Sequence, residues 1–169
     1  TTTAYMIPLS KQKGMINHTF SADCIKNPDM SDFLTVMQKL IDEQWDFDIG
    51  DEFSVGDNGT VDGKKFIVGA QSYDVVVVSR NMINMRKDVA ELIKRFEENG
   101  GTVISTGDAA EYIDGATDSA LTHAIRSGWN TVCGAQGVHE ALCKVLPRRL
   151  ICSKPIPTGF NHMRRTLDD

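Results

Sequence analysis

Val75 to Val78 are four consecutive β-branched residues, preceded by Tyr73-Asp74 and followed by Ser79. A strand with apolar side chains on both faces must be covered on both, as an inner strand of a parallel sheet is. From Arg86 to Asn99 the period changes. Val89, Leu92, Ile93 and Phe96 fall on one helical stripe, with Lys87, Glu91, Lys94 and Glu98 opposite. Asn99-Gly100-Gly101 supplies the left-handed residue that ends a helix, and Thr102 to Gly107 reads as the next strand. Strand, helix and strand in this order make a parallel βαβ unit, so the chain is predicted to be an α/β protein built on an open, mainly parallel sheet.

The rest of the chain extends that unit. Tyr5 to Leu9 reads as the first strand and Ser10 to Pro28 as a long loop, of a length that usually carries function or contacts another domain. Ser31 is a candidate N-cap for a helix whose apolar stripe is Phe33, Val36, Met37, Leu40 and Ile41. Trp45 to Ile49 alternates like a strand. The turn signals Asp57-Asn58-Gly59 and Asp62-Gly63 predict one or two small hairpins over 53–69. A short helix is expected over 119–127, a short strand over 130–133, a helix over 137–146 closed by Pro147, and an edge strand over 149–152. Residues 1–154 therefore form the α/β domain and 155–169 a tail leading to a further domain.

Charge and composition exclude several functions. A net charge of −5 and 7% aromatic residues give no basic, stacking surface, so no nucleic-acid partner is expected. No stretch approaches the ~20 apolar residues of a membrane span. Cys24, Cys133, Cys143 and Cys152 are scattered without Cys/His ligand spacing, so no metal is predicted and a reducing cytoplasm is favoured. The Gly-rich fingerprints of dinucleotide and triphosphate sites are absent, and no cofactor is expected. Gly134-Ala-Gln-Gly137 reads as a tight turn before a helix rather than an anion loop.

A few residues remain as candidates. Cys133 ends a predicted strand near a helix start, where a thiolate is favoured, and His139 lies six residues on. Together they are the weak candidates for a catalytic pair, with an inert strand-end cysteine as the commoner case. Asp46, Asp48, Asp51 and Glu52 form an acidic cluster, read either as a carboxylate or cation site or as a solvated sheet end. Asp108, Glu111 and Asp114 follow a strand C-terminus, where open sheets bind ligands, and are candidates for contact with a ligand or a neighbouring domain. His18 in the long loop joins them.

The order of short motifs carries a resemblance. Trp45-Asp-Phe-Asp-Ile-Gly-Asp-Glu52, Val61-Asp-Gly-Lys-Lys-Phe-Ile-Val68, Tyr73-Asp-Val-Val-Val-Val78, Phe96-Glu-Glu-Asn-Gly-Gly-Thr-Val-Ile-Ser-Thr-Gly107 and Val145-Leu-Pro-Arg-Arg149 occur in succession. The chain resembles the amidotransferase-like (flavodoxin-like) accessory domain of large bacterial glycoside hydrolases. It is similar to that of α-L-rhamnosidase-type enzymes and, more distantly, to the β-galactosidase trimerisation domain. Ser79 departs from the pattern, where the family often has proline, and Lys11 to Pro28 does not align. The resemblance implies a three-layer flavodoxin-like or class I glutamine amidotransferase-like fold with a hairpin insertion. It also implies a non-catalytic role beside a catalytic barrel, which would hold the catalytic carboxylates, and a β-sandwich domain following. Both domains are expected partners in a longer parent chain, and a homo-oligomer is compatible with it. The alternative is an autonomous ligand-binding domain, or a hydrolase or transferase using the Cys/His pair.

Overall fold

A computed structural model describes residues 3–6, 28–80, 82–117, 119–148 and 150. In chain order they form β1 (Thr3–Met6), α1 (Pro28–Asp42), β2 (Phe47–Gly50), α2 (Glu52–Asn58), β3 (Gly59–Asp62), β4 (Lys65–Val68), β5 (Gln71–Tyr73) and β6 (Val75–Val78). There follow β7 (Asn84–Met85), α3 (Lys87–Glu98), β8 (Thr102–Ser105), β9 (Tyr112–Ile113), α4 (Ser119–Arg126), β10 (Asn130–Thr131) and α5 (Gly134–Val145).

The chain is a mixed α/β protein. β2, β1, β6, β8 and β10 lie side by side in that order, every pairing parallel. β6 is the middle strand, and its valines are buried as an inner strand requires. Successive side chains on a strand point to opposite faces, and here each face meets its own core. Val75 and Val77 cluster with Phe33, Val36 and Leu40 of α1 and with Val138 and Leu142 of α5. Val76 and Val78 cluster with Val89, Leu92, Ile93 and Phe96 of α3 and with Ile125 of α4. The α3 stripe read from the sequence is the stripe that is buried.

β3, β4 and β5 form an antiparallel meander beside this sheet. Its Phe66 meets the Phe96 ring edge-on, with centroids 5.5 Å apart. Gly101 lies so close to Phe96 that a Cβ there would strike the ring. The predicted stop at residues 99–101 is thus also a packing site. β7 and β9 make a separate two-stranded parallel pair that the sequence did not reveal.

Three readings are corrected. Residues 53–69 are not hairpins throughout, because 52–58 are helical: the Asp51 carboxylate caps the turn by accepting from the Ser54 amide at 2.9 Å, and Val55 is buried. α1 begins at Pro28, so Ser31 lies inside it and not at its cap. Gly134 to Gly137 is the first turn of α5, with Cys133 as N-cap. The long loop over 10–28, apart from Pro28, the strand over 149–152, apart from Leu150, and the tail lie outside the described residues. Among the described residues no helix is long and apolar enough to cross a membrane.

Candidate functional site

In open α/β sheets, ligands sit at the strand C-termini. At those ends Asp32 of α1, Arg80 after β6 and Thr106 after β8 converge. The Thr106 hydroxyl donates to Asp32 Oδ2 at 2.7 Å and accepts from the Arg80 amide at 2.9 Å. Arg80 Nε stands 3.7 Å from Asp32 Oδ1. Asp32 is only 8% exposed, whereas the Arg80 side chain is about half exposed. Beside them the Ser105 hydroxyl donates to the Gly107 carbonyl at 2.5 Å. Gly107 has φ +155°, and a Cβ there would press on Arg80 Cβ at 3.0 Å, so a bare backbone lets the loop close over Arg80. The Thr106 hydroxyl joins the buried Asp32 carboxylate to the Arg80 amide, as a structural clasp does. Sequence reasoning passed over Asp32; its signal was a carboxylate directly beside the buried Phe33.

The acidic residues read as a possible cluster are dispersed. Asp48 accepts from the Tyr73 hydroxyl at 2.9 Å, and burial, with that bond, pushes the phenol up to about 12. Asp51 is the cap of α2. Glu52 is buried and accepts from the Arg86 amide at 2.7 Å. No group of three or more His, Cys, Asp or Glu among the described residues is arranged to hold a metal ion.

Burial raises the Glu52 carboxyl above its ordinary value of 4.5, against the Arg86 amide and charge, which favour the ionised form. A carboxyl raised on folding contributes stability that is present below 4.5 and is lost as pH rises through its folded value. Glu52→Gln keeps the acceptor for Arg86 and removes the buried charge. At neutral pH its urea midpoint should therefore exceed that of the native chain, with the difference vanishing at pH 4. An equal or lower midpoint at neutral pH would show that the charge is not a burden.

His139 sits on the second turn of α5, half-buried. Its Nδ1 accepts from Trp45 Nε1 at 3.2 Å; its Nε2 lies 3.8 Å from Glu43 Oε2 and 3.7 Å from Cys143 Sγ. An indole N–H only donates, so the neutral ring carries its proton on Nε2. Burial lowers the His139 pKa below 6.5, opposed by Glu43. Cys133 is exposed at the helix start and is not among the hydrogen-bond or ion-pair partners of His139. The cysteine that His139 touches is Cys143, one helical turn on.

Of the loop candidates, Asp114 Oδ1 accepts from the Lys87 amide at 3.1 Å, satisfying the first turn of α3. Asp108 pairs with Arg126 of α4. Glu111 lines a cavity of about 580 Å³ against α4 and the end of β10. Asp108 and Glu111 thus share one neighbourhood through Arg126, while Asp114 faces α3. His18 lies outside the described residues. Compared with protein-family models, curated proteins and solved structures, the chain matches none.

Proposed function

We propose that the chain is a three-layer flavodoxin-like domain that serves as a non-catalytic accessory domain of a bacterial glycoside hydrolase, supporting the catalytic barrel or assisting oligomerisation. The observation that carries the reading is the strand order. Counted along the chain, the five strands of the parallel sheet stand as 2-1-3-4-5, the flavodoxin-like arrangement, in agreement with the motif order that resembles those domains. The engagement of Asp32, Arg80 and Thr106 with one another supports a structural use of the strand ends. So does the engagement of His139 with Trp45.

The test is the reading frame upstream of Thr1, together with aryl-glycoside hydrolysis. A barrel-sized upstream segment is expected, with hydrolysis by a product containing it and none by the 169-residue chain alone. A start codon close to Thr1, or turnover by the chain itself that Cys133→Ser abolishes, would replace the accessory role with the autonomous one.

A further inference from the structure

A second set of polar groups behaves unlike the clasp at Asp32. The loop after β8, the outer side of α4 and the last residue of β10 enclose the 580 Å³ cavity, within the range of small-molecule sites. Glu111, Thr117, His123, Arg126, Ser127 and Thr131 line it. Arg126 is held by Asp108 through Nη2, which leaves further N–H groups of its five-donor fork without a protein partner among the described residues. The Glu111 carboxylate, the His123 ring and the hydroxyls of Thr117 and Thr131 likewise make no hydrogen bond or ion pair to described residues. Donors and acceptors therefore converge on one concavity, whereas at the clasp Asp32 and Thr106 are engaged with each other.

We infer that this cavity is a binding site for a neutral polyhydroxylated ligand of mono- or disaccharide size. The charge balance selects the class. One carboxylate and one guanidinium that is already paired do not favour an anion such as phosphate, and two acidic groups around one arginine would repel it. No Phe, Tyr or Trp lines the cavity, so a nucleobase would have only the small His123 imidazole to stack on. A polyol needs what is present: hydroxyls that both donate and accept, a carboxylate that accepts, and a guanidinium fork paired on one side with Asp108. Threonine methyl groups offer carbon surface to the C–H face of a ring. The inference stands whether or not the chain is an accessory domain of a glycoside hydrolase.

Saturation-transfer NMR on the 169-residue chain tests it, with glucose, galactose, maltose, cellobiose and myo-inositol as probes and inorganic phosphate as competitor. At least one neutral polyol is expected to bind. Thr131→Val, which leaves the Asp108–Arg126 pair intact, should weaken it about tenfold, the equivalent of ~1.4 kcal/mol. Arg126→Gln should weaken it further, while Gln136→Ala, on the α1–α5 side, should leave it unchanged. Each variant is read only alongside an unchanged melting transition, and Thr131→Val provides the result if Arg126→Gln unfolds. No binding by any of the five polyols overturns the inference. So does binding indifferent to Thr131→Val, or displacement by equimolar phosphate.

Discussion

Phe96→Ala is expected to lower the free energy of unfolding by ~3–5 kcal/mol, the range for removing a fully buried phenyl ring. Phe96 has no exposed surface, and three parts of the fold lean on it. Phe66 brings the meander onto its edge. Gly101, whose amide donates to the Phe96 carbonyl at 2.9 Å, passes against the ring and leads directly into β8. The ring also belongs to the core that Val76 and Val78 share with α3. Because native domains hold only ~5–15 kcal/mol in reserve, the variant should sit near the limit of foldability. Urea titration followed by far-ultraviolet circular dichroism measures it, and a loss below ~1 kcal/mol would mean that the neighbourhood collapses into the space. Phe96→Leu should cost much less, because most of the volume is kept.

Asp32→Ala should cost ~2–3 kcal/mol, set by a hydrogen bond to a charged group and by the donor left behind. The Thr106 hydroxyl would lose its acceptor while still receiving the Arg80 amide. The ion pair itself adds little, because Arg80 is half exposed and stands 3.7 Å away. Asp32→Asn retains an acceptor for Thr106 and should cost about 1 kcal/mol or less. A double-mutant cycle with Thr106→Val isolates the bond. Additive losses would show that Asp32 and Thr106 are neighbours without coupling.

The parts legible in the sequence are those where one physical signal dominates. The valine run, the α3 stripe and the glycine stop each admit one reading, and β6, α3 and β8 stand within a residue or two of the expected bounds. α2 was misread because Asp57-Asn58-Gly59 is a strong turn signal that marks the end of a helix as readily as the tip of a hairpin; the Asp51 cap and the burial of Val55 decide it. Gly134 and Gly137 pull the same way against α5, whose start is recovered by packing of Val138 on the sheet. Asp108 and Glu111 were singled out by position alone. The pairing of Asp108 with Arg126, and the cavity that Glu111 and Arg126 both line, like the clasp of Asp32 and Thr106, join residues far apart in the chain, and no local period encodes such a meeting.

The central strand holds a further lesson. Read outward from either face, Val-Val-Val-Val is the same message, so within the run the hydrophobic pattern does not distinguish β6 from itself displaced by one position. In most strands such a slip is forbidden because it turns polar side chains inward; here three of the four sites would still hold valine, and only an end site would receive Asp74 or Ser79. The alignment must therefore be written at the ends of the strand. Upstream, Tyr73 is tied by its hydroxyl to Asp48 on β2; downstream, the Arg80 amide is tied to Thr106 after β8. Two polar bonds supply the phase information that the apolar residues between them lack.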